Sequence, residues 1–427
     1  MRSCNSPWLA RAWAAFGAAA PPLLRWNLRR RSIRGKEIDA RLPERWGQDS
    51  TPRPAGRLLW LHAASVGEAM SLLTVLSALA QARVTILLTT GTVTSAALLQ
   101  RRLPDLGLSD RVLHRFVPLD VPAWVERFLD HWQPDAVGFV ESELWPNLLA
   151  ACRARALPAM LINARMSAGS FALWQRAPGF ARWVLGSFAL ILARSDEDAE
   201  RLRALGVADV SVHGDLKFAA EPLPVDDAEW AALRHGLAGR PVWLAASTHP
   251  GEETEIAAAH RAMVAAHPRL LTIIAPRHPE RGPALADALA APRRGASEPP
   301  PDTAGLWIAD TLGELGLWYR LAQVAFVGRS LIAPGGGQNP LEPARLGCAV
   351  VTGPYTGNFT DAMTLLRAEK AVLEVTSTAE LAASASLLLS DAAARRQQTE
   401  RAYDAVHRHA DLPGRIADML LGLLPRA

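Results

Sequence analysis

Short apolar runs rich in Val, Ile and Leu alternate along most of the chain with longer Ala/Leu/Arg-rich stretches of helical period. The runs lie at Leu58–Leu61, Val84–Leu88, Ala136–Val140, Ala189–Leu192, Val242–Ala245, Leu270–Ile274, Val324–Val327 and Ala349–Val351. They lack the in/out alternation of a half-solvated strand, so they predict strands buried on both faces, as in the βαβ units of a parallel sheet. The alternation is interrupted by a Pro-marked acidic stretch, Glu221-Pro222-Leu223-Pro224-Val225-Asp226-Asp227, and then restarts. The pattern therefore predicts an N-terminal segment over 1–33, one α/β domain over 34–220, a linker over 221–238 and a second α/β domain over 239–427. Residues 290–301 read as a surface loop, and no short-period repeat is present.

Composition narrows this further. With 427 residues, 49% hydrophobic and 21% charged, the chain is long enough for two or three cores and is not disordered, collagenous or a disulfide scaffold. Its three cysteines, Cys4, Cys152 and Cys348, form no CxxC pair, so neither a disulfide framework nor a structural zinc site is indicated, and a reducing compartment is expected. The net charge is +4, yet residues 1–50 hold ten basic against four acidic residues. The excess follows an apolar stretch instead of being spread over a face with interleaved aromatics, which favours a membrane surface over nucleic acid.

Ala12 to Leu24 carry no charge and contain Pro21-Pro22. Thirteen residues are short for a bilayer span, which needs about 20. A signal peptide is disfavoured, because cleavage after Ala18-Ala19-Ala20 would leave the arginine block as the mature N-terminus. Trp8, Trp13 and Trp26 punctuate the run, and Arg25, Arg29, Arg30, Arg31, Arg34 and Lys36 follow it, as in a segment lying in the membrane interface beside anionic headgroups. An amphipathic core helix with a solvated charged end is the competing reading.

In open α/β sheets, ligands bind outside the carboxyl ends of the strands, and candidate chemistry clusters there. His62-Ala63-Ala64-Ser65-Val66-Gly67-Glu68 follows the first run and opens a helix; Glu68 puts a carboxylate where a substrate can approach, or equally one that only serves the helix dipole. Glu141-Ser142-Glu143-Leu144-Trp145-Pro146-Asn147 puts two carboxylates at another strand end, one explicable by capping or ion pairing. Lys217 is one of only three lysines against 43 arginines, which hints at a compact point charge after His213-Gly214-Asp215. In the second half, Ser247 to Glu253 and Pro276-Arg277-His278-Pro279-Glu280-Arg281 combine groups suited to an anion, Arg277 being the best phosphate ligand. Gly335-Gly336-Gly337-Gln338-Asn339-Pro340-Leu341-Glu342 reads as a helix start, with Asn339 as cap, Pro340 at the first helical position and Glu342 at capping-box distance. Free amides there would favour a phosphate, and Glu342 would otherwise accept ribose hydroxyls. No GK[ST] follows and no GxGxxG opens the first unit, so neither an NTPase nor a dinucleotide enzyme is indicated.

Taken in order, Arg34-Gly35-Lys36-Glu37, Glu44-Arg45-Trp46-Gly47, Ser65-Val66-Gly67-Glu68, Glu141-Ser142-Glu143-Leu144-Trp145-Pro146-Asn147, Asn163-Ala164-Arg165-Met166-Ser167, Gly214-Asp215-Leu216-Lys217-Phe218, Pro276-Arg277-His278-Pro279-Glu280-Arg281, Gly313-Glu314-Leu315 and Asn339-Pro340-Leu341-Glu342 resemble the Kdo transferases of lipopolysaccharide assembly nearly end to end. The resemblance implies a GT-B type α/β fold, two Rossmann-like parallel-sheet domains facing each other across a cleft, preceded by a short membrane-associating segment. It implies inverting transfer of 3-deoxy-D-manno-octulosonic acid (Kdo) from CMP-Kdo to a lipid A precursor of the lipid IVA type. Glu68 is then the proton acceptor, Glu141 and Lys217 assist the transition state, and Pro276, Arg277, Gly313, Glu314, Leu315, Asn339, Pro340, Leu341 and Glu342 line the CMP site. Arg34 and Lys36 are candidates for the acceptor phosphates. A strand-end carboxylate suits deprotonation of an acceptor hydroxyl, and positive charge suits a cytidine monophosphate leaving group; the donor's own carboxylate would give Lys217 a further partner.

No acidic cluster has metal spacing, so a reaction without metal or other cofactor is expected, as in that family. The expected partners are the lipid A precursor and anionic inner-membrane lipids, without nucleic acid and with no obligate protein partner evident, on the cytoplasmic face of the inner membrane as a peripheral or monotopic protein. The chain departs from the family pattern in an extra glycine and Gln338 in the Gly-rich loop, in Thr92-Val93-Thr94-Ser95, in Arg329 after Gly328, and in a weaker N-terminal apolar segment. The rival readings are a GT-B enzyme using another nucleotide sugar and a non-catalytic binder of anionic lipid or nucleic acid, which would not need Glu68.

Overall fold

The structure, a computed structural model, describes residues 6–219 and 222–425; Cys4 lies outside them. Among these residues the chain forms two compact units, one from residues 6–219 with 409–425 and one from residues 222–408.

The first unit holds seven strands, β1 (Leu58–Ala63), β2 (Thr85–Thr90), β3 (Val112–Phe116), β4 (Ala136–Val140), β5 (Ala159–Ala164), β6 (Leu190–Ala193) and β7 (Val210–Val212). All are parallel, in the order β3-β2-β1-β4-β5-β6-β7. The second unit repeats the plan with β8 (Val242–Thr248), β9 (Leu271–Pro276), β10 (Gly305–Ile308), β11 (Val324–Val327), β12 (Ala349–Thr352) and β13 (Leu373–Glu374), ordered β10-β9-β8-β11-β12-β13. Helices cover both faces, so alternate side chains of one strand enter different cores: Leu58 and Trp60 pack on one side of the first sheet, Leu59 and Leu61 on the other. Burial on both sides is why these strands read as continuous apolar runs.

Two boundaries differ from expectation. The stretch expected as a linker contains the helix Asp227–Gly236, and Leu223, Val225, Trp230 and Leu233 pack on the core of the second unit. The C-terminal helix Leu412–Leu423, expected in the second domain, buries Leu412, Ile416 and Leu420 in the core of the first unit. Gly138 makes room for it, since a Cβ there would sit 3.2 Å from Leu420 Cδ2 and 2.8 Å from Leu61 Cδ2.

The N-terminal segment is two helices, Trp8–Ala19 and Pro21–Ile33, broken where prolines occupy the first turn of the second. The first docks on the first unit through Ala10 and Gly17; a Cβ on Gly17 would lie 3.1 Å from Asn147 Nδ2, and Trp13 donates from Nε1 to Asp120 Oδ2 at 2.8 Å. Trp8, Phe16, Leu23, Trp26 and Ile33 stay exposed. Among the described residues no helix is long and apolar enough to cross a membrane.

Candidate active site

In each sheet the strand order reverses beside the first strand of the unit, between β1 and β4 and between β8 and β11. These reversals are the crevices where open α/β sheets bind ligands, and the first of them gathers the candidate catalytic side chains.

Ser65 caps the helix Val66–Ala78 by accepting the Glu68 amide. Helical geometry then turns the Glu68 side chain back over the strand end. Its Oε1 accepts the Ser65 hydroxyl at 2.7 Å and its Oε2 accepts the Ala64 amide at 2.8 Å. The carboxylate is buried, and burial raises its proton affinity above the ordinary value. The two hydrogen bonds oppose this, and the charges of Glu143 and Glu141 add to it. The hydrogen bonds hold the carboxylate still, and its surroundings raise its basicity.

Glu141 directly follows β4 in the left-handed region, φ 58°, a conformation that side chains adopt at a cost and that clusters at functional positions. Its carboxylate meets Lys217 Nζ at 2.8 Å. Lys217 is placed by a buried frame: Asn163 donates to Asp215 Oδ1 at 3.0 Å and accepts the Leu216 amide at 2.9 Å, while Asp215 Oδ1 also accepts the Lys217 amide at 2.9 Å. Arg194 supports Asp215 at 3.4 Å and Asp198 at 3.0 Å.

Composition and spacing did not single out His62 or Thr89. His62, fully buried at the end of β1, lies 3.3 Å through Nε2 from Glu143 Oε2, and through Nδ1 lies 3.1 Å from the Thr89 carbonyl and 3.0 Å from its hydroxyl. Burial alone would raise the proton affinity of Glu143; bonds to His62 and to the Trp145 indole outweigh it and lower the net value. Glu143 therefore stays a charge that presses on Glu68, and His62 holds it. Local sequence around His62 says nothing of a partner 81 residues away.

Arg34 and Lys36 are exposed in the turn after the helix Pro21–Ile33. Their neighbours in the motif are structural. Glu37 is buried with Arg45 at 3.0 Å and reaches Arg31 at 3.0 Å; Arg45 donates to the Gly91 carbonyl at 2.7 Å. The Gly91 amide in turn donates to the Ala64 carbonyl at 3.1 Å, and a Cβ on Gly91 would come within 2.7 Å of that oxygen. This ladder of contacts ends at the residue that holds Glu68.

In the second unit, Pro276 closes β9 in the core and exposed Arg277 donates its amide to the Thr248 carbonyl at 3.0 Å. Half-buried Glu342 has its proton affinity raised by desolvation, against a hydrogen bond from Asn339 and the charges of Arg345 and Arg277. Arg277, Asn339 and Glu342 therefore share one neighbourhood. Gly313 takes φ 85° in an exposed turn, and Glu314 accepts Arg294 at 2.9 Å and the Thr311 hydroxyl just before the helix Leu315–Leu321.

Three expectations are corrected here. The helix at 341 is a single turn, Leu341–Arg345, with Pro340 at its cap position; Asn339 Oδ1 takes the Leu341 amide at 3.1 Å, and Glu342 reaches the Asn339 side-chain amide at 3.2 Å instead of closing a capping box. The Leu341 amide is thereby engaged within the loop. In the Ser247 to Glu253 segment, buried Glu252 accepts the amides of His249, Arg329, Ser330 and Leu331 at 2.7–3.1 Å, so those donors are already used. Glu253 takes Arg281 at 2.7 Å and the Thr248 hydroxyl at 2.9 Å, so both groups are engaged within the segment.

The departures in the Gly-rich loop have local consequences. Arg329 sits at φ 56°, a position where glycine carries no strain, and Gln338 Nε2 lies 3.1 Å from His249 Nε2. Among the described residues no group of three His, Cys, Asp or Glu could hold a metal ion. Burial pushes the Cys152 thiol up to about 12 and raises Cys348 as well, which leaves neither as a nucleophile.

Two parallel-sheet units, with a buried carboxylate and an ion pair at the reversal of the first, define a GT-B type α/β protein. The structure is similar to that of UDP-GlcNAc 2-epimerase from Neisseria meningitidis bound to UDP-GlcNAc, with a TM-score of 0.57 and 14% identity, over 86% of this chain and all of that one. Residues 40–220 match the family model of 3-deoxy-D-manno-octulosonic-acid transferase (kdotransferase). The chain is 35% identical over 398 residues to a probable 3-deoxy-D-manno-octulosonic acid transferase, mitochondrial, of Arabidopsis thaliana, covering 89% of this chain and 88% of the relative. It is 33% identical to the 3-deoxy-D-manno-octulosonic acid transferase of Haemophilus influenzae, covering 92% and 94%. The chain belongs to the 3-deoxy-D-manno-octulosonic acid transferase family.

Proposed function

We propose that the protein transfers Kdo from CMP-Kdo to a lipid A precursor of the lipid IVA type, with inversion at the anomeric carbon, as a step of lipopolysaccharide core biosynthesis. The observation that carries the mechanism is the state of Glu68: buried, held by two hydrogen bonds and raised in proton affinity at the strand reversal of the first unit. The acceptor hydroxyl gives its proton to Glu68 as its oxygen bonds to the anomeric carbon. The bond from that carbon to the CMP phosphate breaks, and its electron pair leaves with CMP. The Glu141–Lys217 pair steadies the charge that builds up, with Lys217 also a partner for the Kdo carboxylate. Pro276, Arg277, Gly313 to Leu315 and Asn339 to Glu342 hold CMP, Arg277 supplying positive charge to the phosphate, with no metal or other cofactor.

The exposed Trp8, Phe16, Leu23, Trp26 and Ile33, followed by exposed Arg29, Arg30, Arg34 and Lys36, support peripheral or monotopic attachment to anionic lipid at the cytoplasmic face of the inner membrane, with Arg34 and Lys36 toward the acceptor phosphates.

The test is mass spectrometry of a tetraacylated lipid A precursor incubated with protein and freshly generated CMP-Kdo, beside Glu68→Gln. A mass increase of whole Kdo units that vanishes in the variant is the expected result. Binding of UDP in place of CMP would refute the donor, and CMP binding without any mass increase would refute the acceptor.

A further inference from the structure

Where the strands of the second sheet begin, at the end opposite to the candidate donor residues, lies a cavity of about 580 Å³. Val242 opens β8, while Gln323 and Gly347 stand just before β11 and β12, and all three line it. The seven residues of β8 put about 20 Å of strand between this end and the loops that carry Arg277 and Asn339. The wall carries five arginines, Arg234, Arg240, Arg320, Arg395 and Arg396, and neither aspartate nor glutamate.

Arginines elsewhere in this chain are commonly matched with carboxylates, as Arg45 is with Glu37 and Arg281 with Glu253. Among the described residues none of these five forms an ion pair. Three are held by backbone carbonyls instead. Arg240 donates to Arg269, Pro301 and Thr303; Arg320 donates through one terminal nitrogen to Leu223 and Gly316, both at 2.8 Å; Arg395 does the same to Leu388 at 2.7 Å and Leu389 at 3.3 Å. Carbonyls fix the guanidinium groups without cancelling their charge, and Arg320 and Arg395 keep further donors unspent. Arg234 stacks over Trp230 at 5.1 Å. Gly239 and Gly347 leave the wall open, since a Cβ on either would meet nothing within 4 Å. The carboxylate acting on Arg240 is Asp302, which is outside the lining and is opposed by Arg269.

Guanidinium forks around a concave space are the arrangement that recognises phosphate oxygens, and five of them, three held in place by carbonyls, match more than one phosphate group. We propose that this cavity is a second anion site that takes a soluble small molecule bearing a di- or polyphosphate, separate from the donor residues and independent of the proposed reaction. Phosphate of the same chemistry is also borne by lipid headgroups, and the test separates the two sources.

Inorganic pyrophosphate is titrated calorimetrically into the full chain, into Arg234→Glu/Arg396→Glu and into Arg277→Ala. Neither the Arg234 nor the Arg396 side chain makes a hydrogen bond among the described residues, and Arg234 gives up only its stack on Trp230, so the double variant is expected to melt close to the parent; Arg396→Gln alone is the milder control. The expected result is saturable binding that the double variant weakens by about tenfold or more, that Arg396→Gln weakens less, and that Arg277→Ala leaves within about twofold. Equal affinity in the double variant, loss with Arg277→Ala instead, or no saturable heat at millimolar pyrophosphate overturns the proposal. Sedimentation with phosphatidylglycerol vesicles that depends on Arg396, without pyrophosphate binding, assigns the cavity to lipid and overturns it too.

Discussion

Ser65→Ala separates the chemistry of Glu68 from its role in the helix. The Ser65 hydroxyl donates to Glu68 Oε1 at 2.7 Å, and the Ala64 amide to Oε2 at 2.8 Å. Removing the hydroxyl deletes one of the two bonds that hold down the proton affinity of the carboxylate, leaving burial and the charges of Glu143 and Glu141 less opposed. A hydrogen bond to a charged group is worth about 1.5–3 kcal/mol, and about 1.4 kcal/mol corresponds to tenfold in the ionised fraction. A base must be ionised to work, so on the acid side of the pH profile kcat/KM should fall by about tenfold or more. The alkaline plateau, where Glu68 is ionised in both proteins, should hardly move. The assay is kcat/KM against pH with CMP-Kdo and the lipid acceptor, beside a thermal melt. Losing the helix cap costs about 1 kcal/mol, so the variant melts lower in any case. A profile that keeps its shape and only scales down would refute the assignment of Glu68 as the base.

Glu143→Gln removes a charge that raises the proton affinity of Glu68, so the acid limb should move to lower pH, opposite to Ser65→Ala; a shift upward contradicts the geometry. Arg45→Met strands the buried Glu37 carboxylate and the Gly91 carbonyl, and denaturant unfolding should show a loss of about 3–5 kcal/mol, whereas Glu37→Met/Arg45→Met should lose clearly less than the two single changes together. Glu252→Ala frees four amides of the 249 and 329–331 segments; at about 1 kcal/mol or more for each, the loop should loosen and CMP affinity measured by calorimetry should fall while anion binding at the arginine cavity persists. Leu420→Ala cuts a fully buried side chain from the core of the first unit and should cost about 2–5 kcal/mol; a change confined to unfolding of the second unit would contradict the placement of the last helix.

Much of this protein was legible in its sequence because parallel strands buried on both faces must be apolar throughout, which makes them visible as runs. Eight of the thirteen strands stand out in this way. Among the others, β3, Val-Leu-His-Arg-Phe, carries a histidine and an arginine, β7 has three residues and β13 two. Glu68, Glu141 and Lys217 were legible because ligand chemistry sits just past strand ends, which the runs locate. The roles proposed for them rest on an ordered set of motifs that single residues would not have carried.

The tertiary structure decided what periodicity and spacing leave open. Strand order is a long-range property, so only the fold puts β1 beside β4 and thereby Glu68 beside Glu141 and Glu143. The same holds for His62 against Glu143, for the Asn163–Asp215 frame under Lys217, and for Glu252, whose carboxylate is consumed by four backbone amides, three of them about 80 residues away. The helix 412–423 reads from sequence as part of the second domain, and only packing assigns its apolar face to the first core. Sequence by itself determined the two sheets and the identities of the strand-end groups, because burial and turn chemistry act locally. Which of those groups are paired, buried or free to react was settled by contacts between residues far apart in the chain, where hydrogen bonding and desolvation set the charge each one carries.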